Sequence, residues 1–557
     1  MTFPRRAVVR LLRALRLLAL LFGVATAGGI ARSQSCTLVR DISPGSAPSS
    51  PNALRCLFGD QLFFAAADGV SGQELWWLRA EGQPVQIADL RAGSGGSDPA
   101  DFAACGRRVV FTAATAATGR ELWITDRMAA GTVLLRDVRL GALGCDPREL
   151  TSVGDRVFFT ADDGVHGREL WVTDGSAAGT VLVHDLRAGS AHADPGDLAA
   201  FGDRVLFRAD DGVHGRELWR SDGTAVGTAL IADLNTGAGS SAPSGLTLHD
   251  GAIFFAARDP AAGIELFVTD GTTGGTQLVA DLNPNGDSSP TGLASCGDKL
   301  FFAAASAAFG VELWVRDAAG IRVVHDIRPG AAPSSPRELV AAGDRVYFRA
   351  SDGTNGNELW VSDGTAAGTV MPLDIAPGSA SSQPEQLVGI GERAFFAAND
   401  GLAVGLWSSD GTAGGTARVC TVTAPRGLVR CGGDVYFGGY EPATSVELHA
   451  VRDPGPNVEP VANGCAGART LTATLPRLGQ TMTMAGDGAP AGTLGALLFD
   501  LALRDPVPLP GPLPGGCAAD VQPLIVVAVL IPGSWSVPIA LPADPAFEGL
   551  ALASQAV

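Results

Sequence analysis

The chain has 557 residues, 46% of them hydrophobic and only 18% charged, with 73 Gly and 35 Pro, a composition that suits short strands joined by many turns and excludes a disordered chain. Its 58 acidic residues outnumber 40 basic ones, giving a formal charge of −18, and Lys299 is the only lysine. Clustered cations that neutralise nucleic-acid phosphates or anionic membranes are therefore lacking, and no nucleic acid is expected as a partner.

In chain order, Arg5, Arg6, Arg10, Arg13 and Arg16 come first, then an apolar run from Leu17 to Val24, then Ala25-Thr26-Ala27. This is the pattern of a cleaved secretory signal, expected over residues 1–27 and followed by a linker over 28–35. The apolar run is shorter than the ~20 residues a spanning helix needs, so no membrane span is expected in the mature chain. The expected location is secreted or cell-surface. Nine cysteines fit that compartment through disulfides, and the odd count leaves at least one thiol.

From residue 36 one motif recurs. Its best copies are Glu169-Leu170-Trp171-Val172-Thr173-Asp174-Gly175 and Glu358-Leu359-Trp360-Val361-Ser362-Asp363-Gly364-Thr365. Trp76, Trp123, Trp171, Trp219, Phe267, Trp314, Trp360 and Trp407 mark eight copies, and Glu447-Leu448-His449 is a degenerate ninth. Each unit reads as four strands, as in Leu198–Phe201, Arg204–Ala209, Glu217–Ser221 and Ala229–Asp233, separated by Asp-Gly and Gly-Asp turns that tolerate positive φ. Four strands in 40–50 residues is the size of a propeller blade. The expected fold is all-β: a β-propeller of eight to nine four-stranded blades over residues 36–453. A lone fourth-strand sequence, Thr37 to Ile42, opens the array and its last unit stops near Val451, so these two segments are expected to pair and close the ring.

With Ala-Gly-Thr and Asp-Ile/Leu-x-Pro-Gly segments following it, the motif resembles that of the bacterial ELWxxDGT repeat proteins over residues 36–453. The resemblance implies architecture and export but no reaction. The first copy departs from it, lacking Asp-Gly-Thr after Arg79, and so does the sixth, where Asp317-Ala318 replaces Asp-Gly.

Asp453-Pro454-Gly455-Pro456 opens a linker over 454–463, and residues 464–557 read as a small β-sandwich-like domain, similar to a C-terminal β-module of exported repeat proteins. Cys465 and Cys517 are its disulfide candidates.

The repeated Trp could stack ligands, but a residue demanded once per unit fits structural docking better. The spacing Asp68-x-x-x-Gly72-x-x-x-Trp76 resembles the tryptophan-docking motif of quinoprotein propellers. No catalytic motif is visible, and the histidines track the repeat rather than a metal site. The loops that join units run Asp-x-x-x-Gly-x-x-x-x-x-Pro, as from Asp185 to Pro195, and share one face with a second acidic turn. Asp162, Asp163, Asp185, Asp210 and Asp211 are thus candidate Ca²⁺ ligands, with turn capping as the simpler reading; otherwise no cofactor is expected. The functional expectation is a non-catalytic scaffold for binding or adhesion, with an extracellular protein or glycan as partner. An extracellular polysaccharide hydrolase or lyase, and a structural cell-envelope component, are the alternatives.

Overall fold

The computed structural model describes residues 36–79 and 82–452 in full, and the backbone of six short strands between residues 472 and 556. The chain divides into two compact units, Met1–Asp453 and Pro454–Val557. In the second, the strands form two three-stranded antiparallel sheets. Cys465 and Cys517 lie outside the described residues.

The first unit is all-β, with one 3-10 turn at Ala129–Gly131 among its described residues. Its strands form nine antiparallel blades, numbered 1 to 9 along the chain. Blade 4 is typical: Gly196–Phe201, Arg204–Asp210, Arg216–Ser221 and Ala229–Ala232 pair in sequence order. The innermost strand of each blade packs against that of the next, and Ala417–Cys431 meets Asn52–Leu57 to complete the circle. The structure is a nine-bladed propeller, the upper of the two expected counts.

Closure follows the expected route. Cys36–Arg40 pairs antiparallel with Ser445–Arg452, matching Thr37 with Ala450 and Leu38 with His449, so the first strand of the chain completes the last blade. Two disulfides sit at the same seam: Cys36–Cys420 ties that strand to the 417–431 segment, and Cys56–Cys431 ties blade 1 to blade 9.

Two blades depart from the four-strand pattern, each for a local reason. In blade 7 the outer strand shrinks to one bridge, Val361 with Val370, because Pro372 follows and has no N–H for the ladder. Between blades 8 and 9 there is no joining loop: Ala417–Cys431 runs unbroken as the outer strand of one and the inner strand of the other.

The motif residues explain the turns. In blade 4 the Asp222 Oδ1 accepts hydrogen bonds from the Thr224 N–H (2.9 Å) and Oγ1 (2.7 Å), while Gly223 takes φ +89°. A Cβ on Gly227 would overlap the Asp222 carboxylate, which accounts for glycine in the Ala-Gly-Thr position. Ser221 and Thr228 share a hydroxyl hydrogen bond of 2.8 Å that pins the two ends of the turn.

Tryptophan serves as mortar between blades. Trp171 packs with Ala103, Val110 and Leu122 of blade 2, and Trp219 with Val153, Phe158 and Leu170 of blade 3. Trp76, Phe267, Trp314, Trp360 and Trp407 are likewise buried, and Trp123 is half-buried against the blade 1–2 cluster.

Candidate functional site

The loops that carry the chain from one blade to the next, together with the turns between second and third strands, form one end of the propeller. Their hydrogen bonds interlock: Ser97 N–H donates to the Gln73 carbonyl (2.9 Å) of the blade before, and the Ser97 carbonyl accepts from Ala114 N–H (2.7 Å) of the blade after. Approach is close enough to require glycine at Gly72, where φ is +69° and a Cβ would lie 2.6 Å from the Gly96 nitrogen.

Each loop is organised by the glutamate of the motif. Glu74, Glu121, Glu169, Glu217, Glu265, Glu312, Glu358 and Glu447 are fully buried. The Glu358 carboxylate accepts from Ile375 N–H (3.0 Å), Ser382 N–H (2.8 Å) and Ser382 Oγ (2.6 Å). Glu74 does the same with Leu90 and Ser97, and Glu447 with Ile42 and Ser49 across the seam. Burial pushes these carboxyls above the ordinary range against the pull of the donors, Glu312 to about 7 and Glu169 to about 8. Glu169 stands highest where Ala193 replaces the serine and supplies no hydroxyl. At Glu121 the thiol of Cys145 takes that place at 3.0 Å.

Sequence reasoning read this glutamate only as a motif letter. The signal was available in blade 8, where Gly405 replaces the glutamate and the joining loop is absent as well. There the Arg418 side chain lies against Gly405 and donates to Asp400 Oδ2 at 3.2 Å.

The candidate Ca²⁺ ligands are placed on this face and engaged by protein donors. Asp211 Oδ1 accepts from Val213 and His214 N–H (2.9 and 2.8 Å), and its Oδ2 lies 2.7 Å from His214 Nδ1. Asp163 repeats this arrangement with Val165 and His166. Asp162 and Asp210 cap Gly164 and Gly212 and pair with Arg139 (3.2 Å) and Arg187 (3.0 Å). Asp185 Oδ2 accepts from Gly189 N–H at 3.1 Å, while its Oδ1 is buried and accepts nothing from the protein. Among the described residues no group of three or more His, Cys, Asp or Glu comes together as a metal site.

Between these fixed points the loops and turns project apolar tips. Leu140 (86% exposed), Leu143 (78%), Val70, Val165, Val213 and Leu402 stand in solvent on this face.

No protein-family model matches the chain, and no curated protein matches it. Among solved structures, a puromycin hydrolase is similar over 64% of this chain and 59% of its own, at 16% identity and a TM-score of 0.34. Prolyl oligopeptidase B from Galerina marginata is similar over 65% and 55%, at 10% identity and 0.37. Oligopeptidase B from Trypanosoma brucei is similar over 81% and 56%, at 11% identity and 0.37. The chain thus spans between half and two thirds of these proteins, and at such scores the likeness decides nothing about it; the fold rests on the strand pairing above.

Proposed function

We propose that the chain is an exported, non-catalytic repeat scaffold of the ELWxxDGT type, whose loop face binds an extracellular protein or glycan. The observation that carries this reading is the buried glutamate in eight of nine blades, which holds the loop backbone rigid while the exposed tips vary. Rigid loops lose little entropy on binding, and apolar tips on an otherwise polar rim suit a contact surface. Two disulfides support an oxidising compartment. No described helix is long and apolar enough to cross a membrane.

The test is a screen of the purified full chain against glycan and extracellular-protein arrays, with and without Ca²⁺, alongside a Leu140→Ser, Leu143→Ser, Val165→Ser variant. Binding without product release, lost in the variant at unchanged melting temperature, is the expected result. Release of sugar or peptide products would make the protein an enzyme and overturn the scaffold reading. Calcium dependence, seen as binding or melting that responds to the ion, would assign Asp185 and its repeat equivalents the role of ligands.

A further inference from the structure

The opposite end of the propeller carries the short hairpin turns, and four of the blade-to-blade junctions there, 2–3, 3–4, 6–7 and 7–8, follow a common plan. The residue that opens the second strand of one blade reaches the third hairpin turn of the next. Arg156 donates to the Asp222 carbonyl, and Arg345 to the Asp410 carbonyl at 3.1 Å. Arg108 and Lys299 lie against Gly175 and Gly364 in the same way.

The junction of blades 4 and 5 breaks this plan. Arg220, on the third strand of blade 4, takes the turn carbonyl of Gly271 at 2.6 Å. The equivalent position holds Trp77, Ile124, Val172, Val268, Val315, Val361, Ser408 and Ala450 in the other blades, so this arginine is unique. Arg204, which would otherwise make the contact, is left with its head 3.7 Å from the exposed Asp203. The ring of Phe201 instead lies under Gly271. The result is a cavity of about 480 Å³, with Phe201, Leu206 and Leu248 as apolar walls and Arg204 and Arg220 as cations. Leu248, on the inner strand Ser244–His249, is a large apolar side chain left 53% exposed. Asp270, also at the rim, spends its Oδ1 on Thr272 N–H (2.9 Å) and Oγ1 (2.6 Å) of its own turn.

We propose that this cavity binds a small amphipathic carboxylate: one apolar or aromatic body against Phe201 and Leu248, one carboxylate on the Arg204 and Arg220 guanidinium groups. The volume falls in the range of small-molecule sites, and guanidinium donors on an apolar floor are the pairing that selects a carboxylate over a neutral isostere. Repeat symmetry is broken here by Arg220, a charged side chain that no other blade carries at this position. This site lies on the face away from the loop tips and does not depend on the scaffold reading.

The test uses the full chain and 4-phenylbutyrate as probe, with 4-phenylbutanol as its neutral counterpart, followed by calorimetry and ligand-observed NMR. Expected are binding of the acid, binding of the alcohol weaker by roughly ten-fold or more, and a similar loss for the acid in Arg204→Ala and Arg220→Val. Val is the residue of blades 5, 6 and 7 at the latter position, and Arg204→Ala keeps the test open if Arg220→Val fails to fold. Arg345→Ala, at the equivalent of Arg204 in blade 7, should leave binding unchanged. Absence of binding in the millimolar range, equal affinity for acid and alcohol, or full affinity in Arg204→Ala overturns the proposal. Loss of loop-face binding in the leucine variant, with probe binding retained, separates the two sites.

Discussion

Glu169 and Ala193 are both fully buried, and their meeting point shows what one hydroxyl does in this repeat. The Glu169 carboxylate has backbone donors at 3.2 to 3.4 Å and no side-chain donor, and burial raises it to about 8. Its folded value lies above its unfolded one, near 4.5. The stability it contributes is therefore fully present below the unfolded value and is lost as pH rises through about 8. Ala193→Ser restores the donor found at Ser97, Ser241 and Ser382. The variant is expected to be more stable than the parent by about 1.5 kcal/mol at pH 8, with a smaller gain at pH 5, in urea unfolding at the two pH values. An equal gain at both would mean the serine acts by packing alone. At the same scale, Trp219→Ala removes a side chain that blade 3 packs against, and a loss of roughly 3–5 kcal/mol is expected. Loop-face binding should survive in whatever fraction remains folded. Loss of binding at full stability would make Trp219 a contact residue.

At the scale of strands and seams, the closure is the element with most at stake. The bridges Cys36–Cys420 and Cys56–Cys431 join residues 384 and 375 apart in sequence, but their ends are close in sequence, so whichever is counted second closes little chain that the other has not. On the chain-entropy account, whichever bridge is counted first should add about 6 kcal/mol and the other about 3–4. Cys56→Ser with Cys431→Ser should thus lower the unfolding free energy about as much as Cys36→Ser with Cys420→Ser, by about 3–4 kcal/mol, because each leaves the other bridge in place. Only loss of both bridges should cost more than twice that, which denaturant titration can read directly. These bridges were not legible beforehand, because cysteine spacing carries no connectivity; only the ring brings residues 36 and 420 together. The pairing of Thr37 with Ala450 was legible, because an unmatched fourth strand at one end and a missing one at the other leave a single solution. The strands and turns were legible for a similar reason: Asp-Gly-Thr demands a local geometry that any sequence reader can supply. The partner of Glu217 was not, since Ser241 lies 24 residues away and reveals itself only when the loop folds back over the third strand. The cavity at Arg220 was hidden for the opposite reason. One arginine in a strand looks like surface until the residues it displaces in eight other blades are set beside it.

For the whole molecule, a closed ring and an open array of the same blades differ in how they come apart. Blades in an open array contact only their neighbours, so the terminal ones have half the stabilising interfaces and fray first. In the ring every blade has two neighbours, including blades 1 and 9, whose inner strands touch across the seam where Gly432 N–H also donates to the Gly59 carbonyl at 2.8 Å. Unfolding of the oxidised protein should accordingly be one cooperative transition, with amide exchange protection similar from blade to blade. Removing the seam changes that. With both disulfides reduced and residues 36–42 deleted, the last blade loses its outer strand and Glu447 loses its partners Ile42 and Ser49 or their anchorage. A buried carboxylate without its donors is destabilising by several kcal/mol, which places the first opening at blade 9. Hydrogen exchange read by mass spectrometry should then show protection lost early in Asp434–Glu441, Ser445–Arg452 and Asn52–Leu57. Arg204–Asp210 and Ala252–Asp259, half a ring away, should keep theirs until global unfolding. Uniform loss around the ring in the opened protein would mean that the blade interfaces, built on Trp and its repeat equivalents, transmit the defect to every blade at once, and that closure adds stability without setting the order of unfolding.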